Sequence, residues 1–392
     1  MASILSSKKP GPRAVPITPP DWQALRREFP TTEKFTYLDI ARKAILPRRV
    51  EEAMREWFAD IYHYAGADAF SMDCIEQTRT KVAEVFGASP ENIALIKNTS
   101  EGINIVAQGY PLEAGDNVLI SKFEHENNTF PWRHLDAKGI EIRWAEPDAQ
   151  GRVTVDCYRE LVDKRTRILG AAWVAYGNGY RADVPTLAEF CHTHGIKLVI
   201  DAIQAVGVLA TSLADLGADV IVAGGHKAQF SLAGAGFMYI TEEMAQCITP
   251  PYAAKFSFTS NDRMQERPDL APDAHRFEYG NPNFLGIWVQ GRSAEYLQEI
   301  GLGNIEARVR ELSTYLMERA TELGIKVKTP RPWHERAGIV SFNLPGDAGE
   351  NVVRLRAKNI VCSVKDGLVR AAVHFYNTEE ELERFIAEIT PA

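Results

Sequence analysis

The 392-residue chain lacks several things whose absence narrows its function. It has no apolar run of the roughly 18 residues that a membrane-spanning helix needs. It has no net positive charge: 44 Lys and Arg against 52 Asp and Glu give −8, which argues against a general nucleic-acid or anionic-membrane binder. Cysteine is scarce. Cys74, Cys157, Cys191, Cys247 and Cys362 form an odd, scattered set with no CxxC pair, favouring reduced thiols in a cytosolic protein over a disulfide framework or a zinc site, so no metal is expected. No GxGxxG follows a strand and opens a helix, because SLAGAG (231–236) precedes a strand instead; a nicotinamide-binding Rossmann enzyme is therefore disfavoured. There are no internal repeats. Residues 1–21, rich in Pro and Lys, lack the apolar core of a signal peptide and read as a flexible arm.

What is present is ordinary globular material, 45% hydrophobic and 24% charged, with a clear alternation of elements. From about residue 90, β-rich runs such as IALIKN, NVLIS, RILGAAWV, KLVIDA and DVIVAGG alternate with helical stretches. Several runs are apolar throughout, as strands covered on both faces are, and strands separated by helices imply a mostly parallel α/β sheet. Asp183 before Val184-Pro185 is a helix start and Gly195 a stop. The division expected is an arm over 1–21, a segment over 22–89 that packs near a small lobe, a large domain over 90–295, and a smaller α+β lobe over 296–392.

Four strand ends of the large region carry polar residues, and ligands of open α/β sheets bind beyond the carboxyl ends of the strands. Thr99 and Ser100 open a helix after IALIKN, where they either cap it or seat an anion. His125 follows NVLIS. Asp201 ends KLVI, with Gln204 one turn on. His226 and Lys227 follow DVIVAGG, where an ammonium among small apolar residues is costly unless paired or chemically altered. An anion seat, an aromatic face, a carboxylate and an amine suit pyridoxal 5′-phosphate (PLP). Its aldehyde would condense with Lys227 as a Schiff base while Asp201 keeps its pyridine nitrogen protonated.

The motifs NTSEGINIVA, EHENNTFPW, DAIQAVG, GGHKAQFSLAGAG, RFEYGNPN and VRAAVHFYNTEEEL stand in the order found in the class V aminotransferases of the fold-type I PLP enzymes. The chain resembles that family from about Tyr37 to Asn377. The group includes cysteine desulfurases and isopenicillin N epimerase-like proteins. The resemblance implies a mostly parallel seven-stranded sheet sandwiched by helices, with a smaller α+β C-terminal lobe. It places Thr99, Ser100 and His226 at the cofactor phosphate, and His125 over the ring. Asp201 goes to the ring nitrogen, Gln204 to the phenolic oxygen, and Lys227 to the Schiff base. Asn281 reaches the partner's phosphate in a homodimer, and Arg370 clamps the substrate carboxylate.

Departures from the family pattern bear on the reaction. Gly224 stands where a hydroxyl residue is common, and either Tyr176 or Asn178 occupies the place near the ring. YLDIARKAILP brings Arg42 and Lys43, which either line the entrance for a second anionic group of the substrate or form a solvated surface pair. Cys362, in the β-patterned run IVCSV only eight residues before Arg370, leaves no room for the mobile cysteine loop of the desulfurases. The leading expectation is thus a PLP enzyme acting at Cα of an amino acid, aminotransferase-like or epimerase-like. The alternatives are a lyase (β-elimination, C–S lyase or desulfurase) and carbon–carbon bond formation. A non-catalytic PLP-binding protein is disfavoured because both Lys227 and Asp201 are present.

Overall fold

The computed structural model describes residues 20–260, 262–266 and 268–390. All but the last two residues of the expected N-terminal arm lie outside them. Seven strands form the central sheet: β1 (Ile93–Ile96), β2 (Asn117–Ser121), β3 (Glu141–Ala145), β4 (Thr166–Ala172), β5 (Lys197–Asp201), β6 (Val220–Gly224) and β7 (Gly236–Ile240). Their spatial order is β1-β7-β6-β5-β4-β2-β3. Only β7 runs against its neighbours β1 and β6; the other pairings are parallel. Every residue of β2, β6 and β7 is buried, which is why these segments read as unbroken apolar runs.

Helices are where their end signals put them. Val184–Thr193 begins with Asp183 accepting the Thr186 N–H (3.2 Å) and ends before Gly195 at φ +68°. The helix Thr99–Gly109, here α3, is capped not by Thr99 or Ser100 but by Asn98, whose side chain accepts the Glu101 N–H (3.0 Å). Helices α1 (Arg48–Tyr64) and α2 (Met72–Phe86) lie against the helix Phe284–Ile300. Trp288 Nε1 donates to the Ala53 carbonyl (3.0 Å) and Thr78 Oγ1 to that of Ile287 (3.2 Å).

The C-terminal lobe is a four-stranded antiparallel sheet over Lys326–Val327, Ile339–Asn343, Ser363–Lys365 and Leu368–Ala372, flanked by helices. The earliest described residues join it. Strand Thr36–Tyr37 pairs in parallel with Ile360–Val361, Phe29 meets Tyr376 (ring centroids 4.8 Å), and Arg26 bonds Glu381 (2.9 Å). Residues just beyond β2, β4, β5 and β6 line one cavity together with Arg370 of the lobe's Leu368–Ala372 strand and Arg42 of the 39–44 loop.

Candidate active site

Lys227 follows β6, and its amine opens into a cavity of 160 Å³ whose lining includes Arg42, His125, Tyr176, Asp201, Gln204, His226, Lys365 and Arg370. The loop after β5 packs directly on the Lys227–Ala228 backbone. A Cβ at Gly207 (φ +87°) would stand 2.3 Å from the Ala228 carbonyl, so glycine is required for that approach. Burial lowers the Lys227 pKa to about 8 against the attraction of Asp201, and the Arg370 and Lys365 charges push the same way as burial.

Asp201, at the end of β5, is buried, and its Oδ1 accepts the Ile203 N–H (3.0 Å). Its other oxygen has no protein partner among the described residues. Burial pushes its pKa up to about 6 despite that hydrogen bond and the Lys227 charge. Gln204 Nε2 donates to the Ala41 carbonyl (2.8 Å), and the Ala44 N–H to the His226 carbonyl (2.8 Å). These two bonds clip the 39–44 loop over the cavity. Arg42 on that loop lines the cavity; the exposed Lys43 does not.

His125 meets Tyr176 edge-on, with ring centroids 5.0 Å apart. Its Nδ1 accepts the Asn127 N–H (3.1 Å), so the neutral ring carries its proton on Nε2. Burial holds the His125 and His226 pKa values below the ordinary imidazole value. Of the two residues left open near the ring, Tyr176 lines this cavity. Asn178 lines a neighbouring one and bonds the Gly151 carbonyl (2.7 Å). Burial raises the Tyr176 hydroxyl pKa to about 12.

The buried Thr99 accepts the Gly224 N–H on its Oγ1 (3.2 Å), which ties the start of α3 to the end of β6. The Thr99 and Ser100 N–H groups, in the first turn of α3, have no intrahelical acceptor. A Cβ at Gly224 would stand 3.2 Å from both the His226 ring and Ile203, so glycine leaves room for that ring. Asn281 is exposed in a separate cavity of 260 Å³ with Lys97 and Tyr279, away from Lys227 within one chain.

Arg370 is buried and makes three hydrogen bonds. They run from Nε to Ser363 Oγ (3.1 Å), from one terminal nitrogen to the Tyr176 carbonyl (2.7 Å), and from the other to Asp39 Oδ1 (3.3 Å). Ser363 Oγ in turn donates to Asp39 (2.7 Å). Burial lowers the Arg370 pKa and raises that of Asp39. A guanidinium has five N–H donors, so two remain for a ligand.

Asp39, Ser363, Lys365 and Glu124 were not singled out from the sequence. Glu124 accepts from Asn128 Nδ2 (2.9 Å) and the Ala172 N–H (2.8 Å), fixing the turn that carries His125 to the end of β4; burial raises its pKa to about 7. Its signal was visible, since Glu124 precedes His125 in the quoted motif.

The five cysteines are free, and none lines the Lys227 cavity. Cys362 is buried between two short strands, and burial, with the Asp39 charge adding to it, pushes its thiol up to about 12. Among the described residues no cluster of His, Cys, Asp and Glu could hold a metal ion, and no helix is long and apolar enough to cross a membrane.

The residues present fit PLP. A half-buried amine, a carboxylate with one unengaged oxygen, two flat rings and a helix start with unused N–H groups occupy one sheet edge. The aminotransferase class-V family model matches residues 36–385. A cysteine desulfurase of Cronobacter sakazakii is 30% identical, over 93% of this chain and 96% of its own length. The apo structure of a cysteine desulfurase from Thermococcus onnurineus NA1 is 28% identical, with a TM-score of 0.84 over 93% of this chain and 96% of that one. A structure of the cystine C–S lyase C-DES, with its product cysteine persulfide, shares the fold at 22% identity. Its TM-score is 0.85 over 92% of this chain and 99% of that one. The chain therefore belongs to the aminotransferase class-V family and is an enzyme of that family with PLP as its cofactor.

Proposed function

We propose that the protein is a PLP-dependent carbon–sulfur lyase, eliminating the sulfur substituent from Cβ of a cysteine-type amino acid. The desulfurase-named relatives favour sulfur chemistry over the aminotransferase-like or epimerase-like reading that the sequence put first. The observation that carries elimination, rather than sulfur transfer to the protein, is a cavity holding Lys227 and no thiol. Cys362 is buried, and at about 12 its thiol is not a thiolate near neutral pH.

PLP, when bound, supplies the electron sink that lets the Cα–H bond ionise. Lys227 Nζ takes the Cα proton. Arg370 holds the α-carboxylate with the donors that Asp39, Ser363 and Tyr176 leave unused. Asp201 would serve the ring nitrogen, His125 the ring face, and Gln204 the phenolic oxygen. Thr99, Ser100 and His226 would hold the phosphate. In balance, an S-substituted cysteine and water give a thiol, pyruvate and ammonium: Cα–H and Cβ–S break, the sulfur leaves with the bonding pair and gains a proton, and water then replaces nitrogen at Cα as the Cα–N bond breaks.

Product analysis tests this. Incubation with S-substituted cysteines, cystine and cysteine is expected to yield pyruvate and ammonium in equal amounts. Cys362→Ala is expected to keep turnover within about twofold, since the reaction asks nothing of a buried thiol. Alanine together with sulfur on the protein would make it a desulfurase. A keto acid formed without ammonium, or a D-amino acid, would restore the aminotransferase or epimerase reading.

The enzyme works as a homodimer, with Asn281 serving the partner's phosphate. The exposure of Asn281 in a cavity apart from Lys227 supports this. A solution mass of twice the 43.7 kDa subunit is expected, with Asn281→Ala losing PLP faster on dialysis. A fully active monomer would overturn it.

A further inference from the structure

Arg42, Lys365 and Arg370 line the Lys227 cavity with one acid, Asp201; Glu126 and Asp366 reach it only through His125 (3.4 Å) and the Tyr176 hydroxyl (3.5 Å). Arg370 has Asp39 at 3.3 Å. Arg42 and Lys365 line the same cavity, and neither has a carboxylate within ion-pair distance among the described residues. Asp201, the acid that lines the cavity, is at the end of β5 and already accepts the Ile203 N–H (3.0 Å).

Both cations stand on anchored backbone. Arg42 is exposed at the cavity mouth, but Gln204 and His226 fix its loop through the Ala41 carbonyl (2.8 Å) and the Ala44 N–H (2.8 Å). Lys365 closes the short strand before the 366–367 turn, half-buried, with Nζ 5.6 Å from the centre of the Tyr176 ring. Their fields reach the chemistry. Lys365 acts on both Lys227 and His125, while Arg42 acts on Asp39 and Arg370, the acid–base pair of the expected carboxylate clamp. The expected phosphate seat at Thr99 and Ser100 is not part of this wall.

An amino acid with a neutral side chain needs only Arg370. Two further cations in one cleft repel each other and Arg370 unless an anion joins them. We infer that Arg42 and Lys365 form the receptor for a second anionic group at the end of the substrate's side chain. Taken with the lyase reading on which this rests, the substrate is a cysteine derivative whose sulfur substituent carries an anion. The Tyr176 ring, between Lys365 and His125, forms the wall along which that substituent passes.

The test compares S-carboxymethyl-L-cysteine with its neutral isostere S-carbamoylmethyl-L-cysteine on the PLP-loaded enzyme. Binding is followed by the change in PLP absorbance, and turnover by pyruvate. The carboxylate is expected to bind about tenfold more tightly or better, as charge-assisted hydrogen bonds would give. Arg42→Gln and Lys365→Met are each expected to remove most of that ratio, and the double variant all of it. A wild-type ratio within about twofold, or a ratio that survives in the double variant, overturns the receptor. The two readings fail separately. Preferential binding of the anion without pyruvate would leave the receptor and remove the lyase; pyruvate formed equally from both ligands would leave the lyase and remove the receptor.

Discussion

Lys227→Ala is expected to fold and to lose turnover by about 10²–10⁴-fold or more, the range that a positioned proton-transfer group supplies. The larger end applies because the same amine also tethers the cofactor. An ordinary lysine, with a pKa near 10.4, is only about 0.4% neutral at pH 8, too little for fast attack on an aldehyde. In the cavity, burial brings the amine to about 8, so near that pH half of it is neutral. The sign follows directly. Below pH 8 the amine is protonated and has no lone pair, so covalent capture of PLP by the apoenzyme slows tenfold per unit; above pH 8 the rate levels off. Asp201 attracts the ammonium and so raises this pKa; in Asp201→Asn the midpoint is expected to fall further. Stopped-flow absorbance across pH gives the midpoints, and borohydride reduction with peptide mapping gives the position. A midpoint near 10.5, or a label on another lysine, would overturn the assignment of Lys227.

The placement of Lys227 was legible because it depends on local pattern. VIVAGG (220–225) and LVI (198–200) are apolar throughout, as covered strands are, and a polar residue just past such a strand had one sheet edge to go to. That rule brought Asp201, His125, His226 and Lys227 to one edge; their roles rested on the family resemblance. The pairings across the cleft do not. Asp39 meets Arg370 across 331 residues, through a lobe whose strands are short and whose register with the 39–44 loop no periodicity announces. Arg42 and Lys43 are adjacent, and no pattern says which of two neighbours on an irregular loop turns inward; the Gln204 and His226 bonds to that loop decide it. Asn98 took the cap role open to Thr99 because helix ends are set by a single backbone step, which composition does not fix. Glu124 stood in the quoted motif, but a lone carboxylate next to a histidine carries no sign that it will accept the N–H of a strand 48 residues away.

Arg370→Ala is expected to cost about 30- to several-thousand-fold in kcat/KM for an α-amino acid. That is the equivalent of the roughly 2–5 kcal/mol lost on truncating one partner of a buried charge pair. Two effects share that loss. The substrate carboxylate loses a planar fork with two free N–H donors, and Asp39 is left buried beside Ser363 without its cation. Comparing each amino acid with its decarboxylated amine separates them. An orphaned Asp39 that merely disturbs the lobe would weaken both ligands alike, whereas a lost clamp weakens only the one that carries the carboxylate. Arg370→Lys sharpens the contrast. An ammonium restores charge near Asp39, but it cannot bond Ser363, the Tyr176 carbonyl, Asp39 and a ligand from one rigid plane. It is expected to recover stability and little of the selectivity for amino acid over amine. Equal losses for both ligands in both variants would make Arg370 a structural residue of the lobe and remove the clamp assignment.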